Sequence, residues 1–216
     1  TGKALSFDGS GDYVVYTPIN AVVSSDYSFE AWVKPGVDMS SGTYGIISGY
    51  AWNRIGVYIS SDTLNMRHRR AGDAADIMLS VSYDFNQNNW YFITAVFSQT
   101  VGMELFVNGN SIGNDSTNTS SSAWPIQYMG CYENGAGGAH ANSFNGLIDE
   151  IGVYTRTLSA YEVYQHYLAK QAQVFKGGSW SFNAVTKEYT GGSETLNGLG
   201  CMDSDGDGVS DGFEVW

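Results

Sequence analysis

Residues 90–98 read WYFITAVFS, and this run constrains the fold more than any other part of the chain because it is apolar at odd and even positions alike. Successive side chains of a β-strand point to opposite faces, so such a strand is stable only where both faces are covered. The run therefore predicts a strand in the middle of a sheet, with further structure packed on it. A two-layer sandwich would supply that cover.

Ten further short apolar or alternating runs are separated by clusters of Gly, Asn, Asp and Ser, at the spacing typical of a sandwich. Together with 90–98, the predicted strands are 4–7, 12–17, 27–34, 45–50, 55–60, 63–69, 76–82, 103–108, 126–132 and 144–154. Asn108-Gly109 marks a hairpin because both residues tolerate positive φ, and the next strand is expected to return antiparallel. The pattern predicts an all-β fold.

One helix is predicted after these strands. It begins at Ser159, and Glu162 follows three residues later in a capping box, in which each side chain bonds the backbone N–H of the other residue. The helix is expected to end near Lys170. We therefore assign residues 1–170 to the sandwich domain. Residues 171–200 contain two GG pairs around a WSF run and are expected to form a short extension or a linker.

Charge and hydropathy exclude two classes of partner. The net charge of −12 repels the phosphates of nucleic acids and anionic lipid surfaces. No apolar run approaches the roughly 18–20 residues that a membrane-spanning helix needs. The chain begins at Thr1 with neither an initiator Met nor a signal peptide, so we expect it to be a mature or excised piece of a larger protein.

The last 14 residues hold an acidic pattern that matches a calcium loop of twelve positions. Loop positions 1, 3, 5, 9 and 12 carry side-chain oxygens, in the order Asp203, Asp205, Asp207, Asp211 and Glu214. Gly208 takes the turn position, and Val209 offers a backbone carbonyl. Because calcium binds six to eight oxygens, alternate residues of a tightly curved loop can surround it. The alternative is an acidic solvated tail, which has no reason to place Gly and Glu in this register.

The residues on either side of this loop do not form the two amphipathic helices of a calcium sensor, which argues against a conformational switch. The loop instead resembles the thrombospondin type 3 repeats. That resemblance implies a linker made rigid by calcium, as in large secreted bacterial proteins. We expect the parent protein to continue past Trp216, so that its neighbouring domains are partners of this one.

Five segments along the chain resemble a known family. They read FDGSGDYV at 7–14, SFEAWVKP at 28–35, NW at 89–90, LFVNG at 105–109 and FNGLIDEIGVYTRTLS at 144–159. In this order they resemble the laminin-G-like group of the concanavalin A-like lectin and glucanase superfamily, over about residues 1–168. The resemblance implies a jelly-roll sandwich of two antiparallel sheets, with the first and last strands side by side.

The same resemblance implies a second calcium site, because members of the superfamily often hold a structural calcium between those two strands. Asp149 would be a side-chain ligand, and Asp8 a side-chain or carbonyl ligand. In the alternative interpretation, Asp8 and Asp12 are turn residues that bond their own backbone, while Asp149 and Glu150 pair with Arg156.

Catalysis is not expected. The glucan hydrolases of the superfamily that the chain resembles use two glutamates flanking an aspartate on one strand, since one carboxyl donates a proton while the other attacks or activates water. No E-x-D-x-E spacing occurs here. The nearest acid pair, Asp149-Glu150, is expected to point to opposite faces of its strand. The motifs of the lyases of this fold do not occur either.

Basic and aromatic residues cluster in the first third of the chain. The candidate ligand-binding residues are Trp52, Arg54, Arg67 and Arg69. Strand alternation puts Arg67 and Arg69 on one face. Guanidinium groups bind carboxylate or sulfate, and aromatic rings such as that of Tyr58 stack on sugars, so an acidic glycan is the expected ligand. The alternative is a polar strand edge whose arginines pair with Asp73 and Asp76.

The two cysteines, Cys131 and Cys201, are expected to form a disulfide that ties the calcium loop to the sandwich, which suits a secreted protein. Cys131 lies in the aromatic segment 128–140, whose four glycines permit a close approach to a ligand. A plain flexible loop is the alternative for this segment.

These observations predict a secreted or cell-surface β-sandwich, non-catalytic and stabilised by calcium, that serves as a carbohydrate-binding or adhesion module of a larger protein. The binding role comes from the resemblance, because a fold alone does not fix a function. Two alternatives stay open: a structural spacer without a ligand, and a glycan-cleaving enzyme of the same fold.

Removal of calcium should expose residues 201–216 to protease, because the uncompensated carboxylates repel one another and the loop opens. The measurement is limited proteolysis with and without a chelator, with cleavage sites mapped by mass spectrometry. Cleavage within residues 1–170 serves as the internal reference. Equal rates of cleavage beyond residue 200 in both conditions would contradict the calcium loop.

Overall fold

The computed structural model describes residues 4–19, 26–49, 55–69, 76–117, 119, 126–132, 141–175, 181–183, 188–191 and 194–197. Of these, residues 16–19, residue 69 and those after 169 are described by their backbone alone.

Twelve strands and one helix make up the region in which the sequence predicts a sandwich followed by a helix. In chain order they are β1 (Leu5–Asp8), β2 (Val14–Ile19), β3 (Tyr27–Pro35), β4 (Thr43–Gly49), β5 (Ile55–Ser60), β6 (Thr63–Arg69), β7 (Asp76–Ser82), β8 (Tyr91–Ser98), β9 (Gly102–Val107), β10 (Asn110–Asp115), β11 (Ile126–Met129), β12 (Asn145–Tyr154) and α1 (Ala160–Phe175). Each of the eleven predicted strands overlaps one of these.

The strands form two six-stranded antiparallel sheets. We call the sheet with the order β1-β12-β3-β8-β9-β10 the back sheet and the sheet with the order β2-β11-β4-β5-β6-β7 the front sheet. The predicted sandwich of two antiparallel sheets is confirmed, as is the pairing of the first and last strands, β1 with β12. The hairpin is confirmed too: Asn108 and Gly109 have φ of 52° and 76°, and β10 returns antiparallel to β9.

The core lies between the sheets and is built from alternate strand positions. Phe29, Val33 and Ile93 project from the back sheet, and Val57 and Met66 project from the front sheet. All five are at most 4% exposed, so each contributes close to its full hydrophobic free energy, about 1.5–3 kcal/mol per large side chain.

His68 lies inside this core between two aromatic rings. Its ring stacks on Phe97 at a centroid distance of 4.7 Å and on Tyr27 at 5.7 Å. The Tyr27 hydroxyl and His68 Nδ1 form a hydrogen bond of 2.9 Å. Burial raises the pKa of the Tyr27 phenol far above its usual value, which keeps this residue neutral in the core.

Helix α1 covers the outer face of the back sheet. Leu158 and Val163 pack on Val96 and Phe106, and the ring of Tyr167 stacks on β8 through Phe92. β8 is therefore buried at every position, as the doubly apolar run requires, but the cover on its second side comes from the helix rather than from a sheet.

Helix α1 begins as predicted. The Ser159 N–H donates to Glu162 Oε2 at 2.8 Å, and the Glu162 N–H donates to Ser159 Oγ at 3.3 Å. These bonds satisfy two N–H groups that the first turn leaves without partners. The helix continues to Phe175, five residues past the predicted end.

The chain after α1 contains three short strands, β13 (Ser181–Asn183), β14 (Glu188–Gly191) and β15 (Glu194–Asn197), which form their own antiparallel sheet. None of the helices in the described residues is long and apolar enough to cross a membrane. The predicted loop at 203–214 lies outside the described residues.

Ser28 fixes the connection between β12 and α1 onto β3. This fully buried hydroxyl donates to the Arg156 carbonyl at 2.9 Å and accepts from the Leu158 N–H at 2.8 Å. Ser28→Ala should lower the free energy of unfolding by about 2 kcal/mol, because it leaves the buried Leu158 N–H without its partner.

The measurement is urea denaturation, with Ser111→Ala as the matched control. Ser111 is exposed and its hydroxyl contacts only a surface carboxylate, that of Glu104, so its loss should cost less than about 0.5 kcal/mol. Equal effects of the two substitutions would contradict this role of Ser28.

Candidate ligand-binding site

The two outer faces of the sandwich differ: the helix covers the back sheet, and the front sheet carries polar and aromatic side chains on its outer face. Strand register aligns one outward row across it. The row consists of Val15, Tyr128, Ser48, Gly56, Arg67 and Met78. Their chain neighbours Val57, Met66 and Ile77 belong to the core, so alternation turns the row outward.

Cys131 and Tyr132, which follow β11, lie across this face, and two glycines make room for them. A Cβ on Gly45 would overlap the backbone of Cys131 and Tyr132, and a Cβ on Gly56 would lie 2.8 Å from the Tyr132 ring. The Ser48 hydroxyl donates to the Cys131 carbonyl at 3.0 Å. Glycine at both strand positions therefore allows the Tyr132 ring to rest on the front sheet.

Arg67 is the centre of a cluster on this face. Its Nη1 donates to the Tyr132 hydroxyl at 2.8 Å, and its Nη2 forms an ion pair with Asp76. The Tyr58 ring stacks on Tyr132 at a centroid distance of 4.1 Å, and its hydroxyl lies 3.2 Å from the sulfur of Met78. We call Tyr58, Arg67, Asp76, Met78 and Tyr132 the front cluster.

The ionisation states in the front cluster are fixed by burial and charge. Burial lowers the pKa of Arg67, but the hydrogen bond to Tyr132 and the charge of Asp76 outweigh it and raise the pKa above its usual value. Burial raises the pKa of Tyr58 and of Tyr132. The cluster thus holds a permanent cation beside two neutral phenols.

A second polar pair lies next to the cluster. Asn65 is opposite Tyr58 in the ladder, and Ser80 is opposite Asn65. The Ser80 hydroxyl donates to Asn65 Oδ1 at 2.7 Å, and Asn65 Nδ2 donates to the Thr63 carbonyl at 2.8 Å. The face therefore offers hydrogen-bond donors, acceptors and aromatic surface within one area, which is the composition of a site for a small polar ligand.

The structure places the predicted ligand-binding residues as follows. Arg67 lies on the front face beside Tyr58, as the sequence predicted, and its pairing with Asp76 also agrees with the alternative interpretation. Arg69 ends β6 opposite Asp76, and its side chain is outside the described part. Trp52 and Arg54 are outside the described residues, so their role stays a prediction.

The calcium ligands predicted at the seam of β1 and β12 lie apart. Asp8 is opposite Asn145, so Asp149 is four positions further along the strand, about 13 Å at the usual rise per residue. The Asp8 carboxylate accepts the Ser10 N–H at 2.7 Å, and the Asp12 carboxylate accepts the Asp8 N–H at 3.0 Å. This is the turn bonding of the alternative interpretation.

No group of three or more His, Cys, Asp or Glu residues in the described part of the chain is arranged to hold a metal ion. The six ligands predicted in the C-terminal loop lie outside the described residues: Asp203, Asp205, Asp207, Val209, Asp211 and Glu214. Calcium binding by the C-terminal loop stays a prediction, whereas the separation of Asp8 and Asp149 does not fit one ion shared by that pair.

The expected alternation of Asp149 and Glu150 is interrupted. The register of β12 with β3 shifts by one residue between Asp149 and Gly152, and Glu150 has a φ of 51°. A β-bulge of this kind re-aims the side chains around it. The regular alternation on which the opposite-face expectation rested is interrupted at this pair, and the expectation itself stays a prediction.

Cys131 is fully buried. Its predicted disulfide partner, Cys201, lies outside the described residues. The bond stays a prediction.

Comparison with known proteins supports the fold. The matching family model is described as the concanavalin A-like lectin/glucanases superfamily and covers residues 8–164. No curated protein matches the chain.

Three solved structures share the architecture. The heptameric SAP-like pentraxin from Limulus polyphemus is 20% identical with a TM-score of 0.56, covering 74% of this chain and 79% of its own. The CBM40 of the Ruminococcus gnavus IT-sialidase, bound to α2,3-sialyllactose, is 16% identical with a TM-score of 0.60. The match covers 76% of this chain and 94% of the CBM40 chain. The binding domain of botulinum neurotoxin DC, in complex with rat synaptotagmin II, is 16% identical with a TM-score of 0.53. The match covers 70% of this chain and 38% of the neurotoxin chain. Identities this low show the fold alone.

Tyr132→Phe should make stability fall less steeply as pH rises above 10. The pKa of Tyr132 is raised in the folded chain above its ordinary value of 10.0, so the folded state keeps a proton that the unfolded state releases. The stability that this group contributes is present below pH 10 and is lost as pH rises further, by up to about 1.4 kcal/mol per pH unit.

The measurement is urea denaturation at several pH values from about 8 to 11. Tyr161→Phe is the control, because Tyr161 is 68% exposed on α1, and it should keep the wild-type pH dependence. A Tyr132→Phe curve parallel to the wild-type curve would show that the Tyr132 phenol is not held in this cluster.

Proposed function

The chain belongs to the concanavalin A-like lectin/glucanases superfamily, and we propose that it is a non-catalytic carbohydrate-binding module that binds a glycan on the outer face of its front sheet. The glycan lies over the front cluster. The module belongs to a larger secreted or cell-surface protein and serves in attachment or adhesion.

The observation that carries this proposal is the front cluster on the face that no helix covers. Sugar hydroxyls both donate and accept hydrogen bonds, so a pair such as Arg67 and Asp76 can bond adjacent hydroxyls. The apolar face of a sugar ring packs on aromatic and thioether side chains, which Tyr58 and the half-exposed Met78 supply. The back sheet offers no comparable surface in the described residues, because α1 covers its central strands.

The relatives support binding rather than catalysis as the role of this fold here. The sialidase CBM40 was solved with a glycan, and the neurotoxin domain was solved with a protein partner. A glycan is favoured for this chain because the front cluster joins charged, hydroxyl and aromatic groups in one place. A protein partner is the second outcome that the test below can return.

Calcium is part of the proposal. The acidic loop at 203–214 carries five carboxylates in the register of a calcium site. The pair Asp8 and Asp149 is left out of the proposal, because four strand positions separate the two residues. We expect the metal to stabilise the module and its link to neighbouring domains.

Arg67→Ala should weaken glycan binding about tenfold or more, because it removes the charged donor at the centre of the cluster. Tyr58→Ala should have a similar effect through lost stacking. The measurement is binding to a glycan array with and without calcium, followed by titration of the best glycan. Binding is expected to weaken when a chelator is present.

Arg156→Ala is the matched control, because Arg156 lies by α1 on the other side of the sandwich, paired with Glu162, and its loss should leave binding unchanged. Equal loss in Arg67→Ala and Arg156→Ala would contradict the site. Absence of binding to any glycan would favour the structural spacer, and release of new reducing ends from a bound glycan would favour an enzyme.

A further inference from the structure

The place where the Arg67 guanidinium would bind the carboxylate of an acidic ligand is already occupied from within the chain. A guanidinium presents five N–H donors in a planar fork that matches a carboxylate. In the front cluster, Nη2 of this fork is paired with Asp76 and Nη1 with the Tyr132 hydroxyl. Asp76 therefore stands where the acidic group of a ligand would otherwise bind.

The two partners of Arg67 differ in how firmly they are held. Tyr132 is 4% exposed, stacked on Tyr58 and seated over Gly56, so its hydroxyl is fixed. Asp76 is the first residue of β7, at the edge of the front sheet, and its side chain is 28% exposed. Its carboxylate can turn into solvent while its backbone stays in the ladder opposite Arg69.

The pair also sets the charge within the front cluster, whose other members are uncharged. Arg67 and Asp76 neutralise each other, and the whole chain carries a net charge of −12. A ligand with a carboxylate or sulfate must displace Asp76 from the guanidinium, and it then meets the displaced charge nearby. A neutral sugar need not displace Asp76 and is not repelled by its charge, since the sugar hydroxyls can bond Arg67 and Asp76 together.

We infer that Asp76 is a specificity-determining residue, which makes the front face favour neutral glycans over acidic ones by holding the Arg67 guanidinium. This inference rests on the proposed function. It differs from the expectation of an acidic glycan that Arg67 suggested when taken alone. Preference for acidic glycans is expected only in a variant that lacks the Asp76 charge.

Asp76→Asn tests the inference, because it removes the charge and keeps the size of the side chain. The probes are neutral glycans arrayed beside their sialylated and sulfated forms, with lactose and α2,3-sialyllactose as the first pair. Wild type should bind the neutral member at least as tightly as the acidic one. Asp76→Asn should bind the acidic member about tenfold more tightly than wild type does and the neutral member within about threefold.

Asp84→Asn is the matched control. Asp84 is an exposed acid that follows β7, so this substitution changes the net charge equally without touching the front cluster. It should leave both affinities as in wild type. A matching gain for acidic glycans in Asp84→Asn would mean that overall charge, not Asp76, sets the preference. Melting temperatures check folding, and Asp76→Ser serves as a second variant if Asp76→Asn is unstable.

Two further results overturn the inference alone. The first is an unchanged ratio of acidic to neutral binding in Asp76→Asn, and the second is an equal loss of both, which would mean that Asp76 only holds Arg67 in position. Absence of binding to either member of every pair, by wild type and both variants, overturns the proposed function and the inference with it.

Discussion

The need to cover β8 on both sides organises the whole molecule. Every residue of this strand is buried, and a strand in the middle of a sheet has two faces to hide from water. The front sheet covers one face through the shared core. Helix α1 covers the other through Val163 and the ring of Tyr167, together with Leu158 just before the helix. The helix is thus a third layer that the sequence of a single strand makes necessary.

This arrangement also determines where a ligand can bind. The outer face of the front sheet mixes apolar side chains such as Met78 with polar ones such as Arg67, so it needs no helix to cover it and can keep charged and aromatic groups in contact with solvent. Gly45 and Gly56 let the segment after β11 lie on that face, which delivers Tyr132 to Arg67. One outer face of the sandwich is therefore covered by the helix, and the other carries polar and aromatic groups that can contact a ligand.

Local patterns predicted much of this structure. Strand alternation, the Asn108-Gly109 hairpin and the capping box at Ser159 depend on neighbouring residues, and all three are confirmed. The contacts of Arg67 were harder to predict, because Tyr132 is 65 positions away and reaches it only through the path of a loop. At the seam, the pairing of β1 with β12 was predicted by resemblance. Its register was not, since a shift of a few residues separates two carboxylates without changing the pattern of either strand.

The central claim is that the uncovered face of the front sheet is the binding face. Hydrogen–deuterium exchange of the chain, with and without the glycan that binds best, tests it most directly. The account predicts slower exchange in residues 55–69, 76–82 and 126–132 on binding, with residues 160–169 of the helix unchanged. Protection confined to the helix or to the back sheet, with the front sheet unaffected, would contradict it.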